Sequence, residues 1–213
     1  MPSDLQVSNI KDLTGSNTGL SIASDGQVTI AQNNPTIQLG SNATGFTGIK
    51  NIDNWHLNGD ISGSVDPIPV DKFTRSSTSS GGANMGTGMD LHNVSNNGIF
   101  TFPVTGIWKI DAKFVHYRNG DSRYIESRIK VSTTGILGSF STLGEAKGFI
   151  QRTSSDNTFT TTACYVILDV NTAGNTGSST AVRFSISTAG NITTQSSTSK
   201  SNSHFTFTRL ADT

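Results

Sequence analysis

Trp108, Ile110, Ala112 and Phe114 alternate with Lys109, Asp111 and Lys113, and this period of two constrains the fold more than any other feature of the chain. Such alternation puts one set of side chains on each face of an extended segment, the pattern of a half-buried antiparallel strand. Asn119-Gly120 follows, a pair suited to the positive backbone angles of a two-residue hairpin turn. The return strand is expected over 123–131, with Ile125, Ile129 and Val131 inward and Tyr124, Glu126, Arg128 and Lys130 outward. Further strands are expected at 98–103, 147–150, 159–170, 181–187 and 204–210. The expected core is Phe100, Phe102, Trp108, Ile110, Phe114, Val182, Phe184, Ile186, Phe205 and Phe207. No segment carries apolar residues at helical spacing. The chain is therefore expected to be all-β, a sandwich or jelly roll.

Composition agrees. Only 14% of the 213 residues are charged and 33% are hydrophobic, with 22 glycines. Those proportions suit short strands joined by Gly, Asn and Ser turns and argue against helical bundles and membrane spans. Fifteen basic residues balance fifteen acidic ones, so nothing in the charge favours nucleic acid or acidic lipid as a partner. The single cysteine, Cys164, excludes an intrachain disulfide framework and lies in the apolar run Ala163-Cys164-Tyr165-Val166-Ile167-Leu168, where it is expected to be a small buried hydrophobe. The first residues, Met1-Pro2-Ser3-Asp4-Leu5, have neither the basic nor the apolar region of a secretory signal, so synthesis in a host cytoplasm is expected.

The chain reads as two regions. Over residues 1–60 the apolar stretches are short: Leu5-Gln6-Val7, Leu20-Ser21-Ile22, Gln27-Val28-Thr29-Ile30 and Thr36-Ile37-Gln38-Leu39. Strands this short bury too little surface to offset about 1–2 kcal/mol of backbone entropy per residue, so the segment is expected to attach to other chains. Residues 61–71, with Pro67 and Pro69, read as an extended connector, and 72–213 as the head. Within the head, 76–88, 171–180 and 189–202 read as long polar loops.

The inventory for catalysis is thin. The two glutamates are Glu126, on an outward strand face among basic neighbours, and Glu145; most aspartates sit in turns. His56, His92, His116 and His204 are scattered without metal-ligand spacing, and His116 is expected as a hydrogen-bonded residue at the rim of the inward face. There is no Gly-x-Ser-x-Gly elbow, and the glycine-rich 81–88 lacks the Gly-Lys-Ser/Thr ending of a phosphate loop. No enzyme activity, cofactor or metal is expected. Three aromatics stand out as docking or ligand-contact candidates: Trp55, at the junction of the two regions, and Tyr117 and Tyr124, which flank the hairpin.

The segment Gly98-Ile99-Phe100-Thr101-Phe102-Pro103-Val104-Thr105-Gly106-Ile107-Trp108-Lys109-Ile110 resembles the signature of the complement globular-head and tumour necrosis factor superfamily. There, two aromatic-rich strands flank a Pro-x-x-Gly corner. Ser203-His204-Phe205-Thr206-Phe207-Thr208-Arg209-Leu210 is similar to the closing strand of that family. The resemblance spans roughly 72–210 and implies a ten-stranded jelly roll associated as a homotrimer. A collagen-like stalk and the family's calcium-site aspartates are missing, so no calcium site is expected. The N-terminal Leu5-Gln6-Val7-Ser8-Asn9-Ile10-Lys11-Asp12-Leu13-Thr14-Gly15 and Ser24-Asp25-Gly26-Gln27-Val28-Thr29-Ile30 resemble openings of marine and cyanobacterial phage virion proteins. Together the resemblances imply a non-enzymatic virion component, a homotrimeric tail fibre or appendage contacting other virion proteins through residues 1–60. Alternatives are a capsid decoration protein and a module that binds a host surface glycan or receptor; a β-sandwich depolymerase is a third.

Overall fold

The computed structural model describes residues 9–11, 18–22, 28–29, 49–78, 82–198 and 202–213, and the chain divides into two compact units, Met1–Gly45 and Phe46–Thr213. In the first unit β1 (Asn9–Lys11), β2 (Thr18–Ile22) and β3 (Val28–Thr29) pair antiparallel in that order. The stretches expected at 5–7 and 36–39 lie outside the described residues.

The second unit begins with β4 (Asn51–Leu57), β5 (Ile61–Ser62), β6 (Phe73–Arg75), β7 (Asp90–Val94), β8 (Asn97–Thr101) and β9 (Gly106–Arg118). It continues with β10 (Ser122–Ser132), β11 (Ser141–Ile150), β12 (Thr158–Val170), β13 (Ala181–Thr188), β14 (Thr193–Thr194) and β15 (His204–Ala211). One sheet runs β6-β4-β15-β9-β12, with β14 and β5 continuing beside the far end of β9; the other runs β11-β10-β13-β8-β7. All pairings are antiparallel, the last strand lies beside the first of this unit, and the chain passes between the sheets after β6, β8, β9, β11, β12 and β13, which is jelly-roll order. The turn at 119–121 is one of these crossings, so β9 and β10 do not pair as the hairpin expected from Asn119-Gly120; each finds its partners in a different sheet. Phe100, Phe102, Trp108, Ile110, Phe114, Val182, Phe184, Ile186, Phe205 and Phe207 are all buried between the sheets with Leu57, Ile68, Phe73 and Met89.

The head starts earlier than the division at residue 60 expected from sequence. β4 pairs with β15 from Asn51↔Arg209 to His56↔His204, and with β6 at Trp55↔Arg75. The alternation was hidden because two of its buried positions are polar, Asn51 and Asp53. The Asp53 carboxylate is held through Oδ2, which accepts from Trp55 Nε1 at 2.8 Å and from the Met89 amide at 2.6 Å, while Oδ1 lies 3.0 Å from Arg75 Nε as an ion pair. Residues 61–71 are likewise part of the sandwich, with Ile61 and Ile68 buried and Val65 bridging to Ile186. The described part of the 76–88 loop also packs on the sheet. Met85 exchanges both backbone hydrogen bonds with Ile52, Asn84 Oδ1 accepts from the Asn54 amide, and this edge of β4 is thereby covered.

β11 extends six residues further toward the N-terminus than the strand expected at 147–150. Its less exposed positions are Gly144, Ala146, Gly148 and Ile150, so apolar alternation was absent where β11 closes over β12. A Cβ at Gly144 would lie 2.9 Å from Val166 Cγ1 and 3.4 Å from Ile129 Cβ. Gly144→Val is accordingly expected to destabilise the head by about 1–3 kcal/mol through overpacking, measured as a lower midpoint in urea.

Candidate functional site

β12 pairs with β9 along its whole length, from Thr158↔Arg118 to Val170↔Gly106, and its other edge has no strand partner among the described residues. Alternation puts Thr162, Val166 and Val170 inward, whereas Phe159, Thr161, Ala163, Tyr165, Ile167 and Asp169 face out. Phe159, Tyr165 and Ile167 are 55%, 64% and 56% exposed. Beside this strand, β11 leaves Leu143 and Phe149 exposed at 57% and 64%. Large apolar side chains are thus lined up along one lateral side of the sandwich, beyond the scattered exposed residues a monomer normally carries. Lys109 Nζ lies over the Tyr165 ring at 5.4 Å and pairs with Asp111 at 2.8 Å, so the charges on this face are partly spent on each other. A shallow depression of about 260 Å³ lies beside Tyr165, lined by Asp111, Lys113, Ala163, Cys164 and His204 among others.

The chemistry of this region is not that of a nucleophile. Burial pushes the Cys164 thiol up to about 11, so it stays protonated at neutral pH. The thiol points inward, with Sγ 3.8 Å from the Ser127 carbonyl oxygen. His116 is not at a rim but fully buried, 0% exposed. Its Nδ1 lies 2.9 Å from Thr194 Oγ1, and its Nε2 is 2.9 Å from Thr162 Oγ1 and 3.3 Å from Ser127 Oγ. Burial holds it near 4, neutral and sealed from any substrate. No cluster of three or more His, Cys, Asp or Glu suited to a metal ion occurs among the described residues.

The three aromatics singled out from sequence separate. Trp55 is buried, edge-on to Phe100 at 5.2 Å with the Arg75 guanidinium over its ring at 4.8 Å, so it is a core residue and not an exposed platform. Tyr117 is half-buried against Phe159, with ring centroids 5.5 Å apart, and its hydroxyl donates to Asp60 at 3.2 Å. Burial alone would raise the Asp60 pKa, but hydrogen bonds from the Ser196 amide and hydroxyl and from Tyr117 hold it below its ordinary value. Tyr124 is exposed at 44%. Phe149, Phe159, Tyr165 and Ile167 were missed as surface residues, because an apolar run such as 163–168 reads equally as a strand covered on both faces.

No family model and no curated protein sequence matches the chain. Among solved structures it is similar to the Eiger TNF of S. frugiperda, at 16% identity and a TM-score of 0.49, over 78% of this chain and 94% of that one. It is also similar to murine APRIL, at 12% identity and a TM-score of 0.45, over 75% of this chain and 98% of that one. The jelly-roll assignment rests on the strand order above.

Proposed function

We propose that this chain is a non-enzymatic structural protein of a phage virion. In this reading it is a homotrimeric fibre or appendage component, attached through its N-terminal unit and displaying a jelly-roll head. The observation that carries the assembly is the exposed pair Tyr165 and Ile167 on β12, with Leu143 of β11 beside that strand. β12 is apolar on both faces between Cys164 and Leu168, as strands buried on both sides are, yet within one chain its outer face is bare. A second and third copy around a cyclic axis would cover it, and closure leaves no such row exposed. The virion part of the reading is supported by the N-terminal sequence resemblance. A capsid decoration protein uses the same head and differs only in where it sits; labelling intact particles with an antibody to the head separates the two.

Light scattering on the full-length protein at micromolar concentration is expected to give three times the chain mass. Tyr165→Glu combined with Ile167→Lys is expected to give the single-chain mass with an unchanged circular dichroism spectrum. A wild-type protein of single-chain mass overturns the assembly.

A further inference from the structure

At one end of the head, β10 carries a bulge. Ser122 pairs with Ile150 and Ile125 with Gly148, so Arg123 and Tyr124 together oppose the single residue Phe149. A bulge turns neighbouring side chains out of strict alternation, and such irregularities recur at binding and active sites. Here the consecutive residues Arg123 and Tyr124 are both exposed, and so is Phe149. The backbone at the bulge is held firmly: the Tyr124 carbonyl accepts from the Ala189 amide at 3.1 Å and from Ser122 Oγ at 3.2 Å.

Three arginines gather at the same end. Arg123 is on the bulge, and Arg152 is tied to the neighbouring turn by its amide, which donates to Asp121 Oδ1 at 2.6 Å. Arg118 lies against the turn glycines: a Cβ on Gly120 would be 3.1 Å from its Nε and one on Gly190 would be 2.0 Å from its Nη1. Every other arginine of the head is paired, and of its described lysines only Lys72 and Lys113 make no ion pair. Arg75, Lys109, Arg128, Lys130, Lys147, Arg183 and Arg209 all pair with carboxylates. Among the described residues Arg118, Arg123 and Arg152 have no ion pair, although Asp121 and Asp156 lie in the adjoining turns. Arg152 Nε donates to the Ser154 carbonyl at 2.9 Å, but no carboxylate takes any of the three forks, and guanidinium groups without carboxylate partners beside two exposed rings are the chemistry of an anion-binding surface.

We propose that this end of the head, centred on Arg123, Tyr124, Phe149 and Arg152, binds an acidic polysaccharide, with guanidinium groups on its anionic groups and the rings against sugar faces. The flanking turn, 151–157, is exposed throughout and adds Thr153, Ser154, Ser155 and Asn157 as hydroxyl and amide partners. Exposed rings beside a turn of hydroxyls suit sugar faces and their hydroxyl groups better than the side chains of an acidic polypeptide. The site also lies at the end remote from where β4 enters the head, since Asn51 is level with Arg209 and Trp108 while Arg118 and Ser122 flank the turn at the other end of β9. The inference rests on the head being displayed outward as proposed above.

The full-length protein is titrated with polygalacturonate and dextran sulfate, with neutral dextran and polyglutamate as controls, while its mass is followed on the same samples. Binding to at least one acidic polysaccharide is expected, weakening with salt. Arg123→Ala and Phe149→Ala are each expected to reduce affinity about tenfold or more, as for loss of a charged hydrogen bond or a buried ring contact. Lys147→Ala, which removes an already paired cation, is expected to leave it unchanged. The proposal is overturned by no binding to either acidic polysaccharide, by equal binding to polyglutamate or neutral dextran, or by Lys147→Ala matching Arg123→Ala. A trimer that binds nothing overturns this site alone, whereas a single-chain species that binds overturns only the assembly.

Discussion

Replacing Phe184 with alanine is expected to remove about 3–5 kcal/mol of stability, a large share of the 5–15 kcal/mol typical of a domain. Phe184 is fully buried on β13, and its ring centroid lies 4.4 Å from that of Phe205, 5.8 Å from Phe100, 6.1 Å from Phe207 and 6.2 Å from Phe73. Those four rings come from β15, β8 and β6, so the side chain is where the two sheets meet. β15 crosses above it as the strand joining β4 to β9. Truncation leaves a cavity that strands held on both sides cannot close, and the cavity penalty adds to the lost burial. A head of this size loses roughly 2–4 °C of melting temperature per kcal/mol, so a fall of about 6–20 °C is expected in calorimetry. A change within 2 °C would show that the sheets do not pack as described.

The second large effect is a dependence on acid. His116 sits among Thr194, Thr162 and Ser127, each from a different strand, with Ser127 Oγ and Thr162 Oγ1 themselves 2.6 Å apart. A neutral imidazole has one donor and one acceptor nitrogen, and hydroxyls satisfy either. An imidazolium would have two donors and a buried charge with no carboxylate among its hydrogen-bond partners. Burial therefore lowers its pKa from 6.5 to about 4. Between those values the unfolded chain binds more protons than the folded one, so stability falls as pH drops from about 6.5 to about 4 and levels off below. The shift corresponds to about 3 kcal/mol. His56, lowered in the same direction by burial, adds to the loss with the same sign. Asp60 and Glu145 act in a lower window: hydrogen bonds hold both below their ordinary values, so their contributions are lost only as pH falls through those lowered values. The expected result is a urea midpoint falling steadily from pH 7 to pH 4.5. In His116→Gln, which keeps a donor and an acceptor without a charge, a large part of that slope should disappear. An unchanged slope in the variant would show that His116 titrates in solvent and is not enclosed.

Much of the fold was legible because period-two patterning is local. Trp108 to Phe114 needs no knowledge of the rest of the chain to face inward, and neither do Val182, Phe184 and Ile186. β4 and β11 escaped for the converse reason: their less exposed faces carry Asn51 and Asp53 in one case and Gly144, Ala146 and Gly148 in the other. Each of those residues is acceptable only beside a particular neighbour. Asp53 needs Arg75 and the Met89 amide, 22 and 36 residues away, and Gly144 is small because Val166 approaches it.

The candidate surfaces divide along the same line. Tyr124 could be named from its place beside the Asn119-Gly120 turn, but Arg123 joins it outside only because β10 bulges against β11. Trp55, an attractive platform by composition, is covered by a core assembled from β6, β8 and its own strand. Alternation along single strands determined, without help, that this chain is an all-β sandwich with an aromatic interior, because the period of a strand is set by its backbone. Which faces remain bare, which cations remain unpaired and how deeply His116 lies were decided by tertiary structure alone. Burial and pairing are properties of neighbours, and in a jelly roll many neighbours of a strand come from distant parts of the chain, as β15 does for β4.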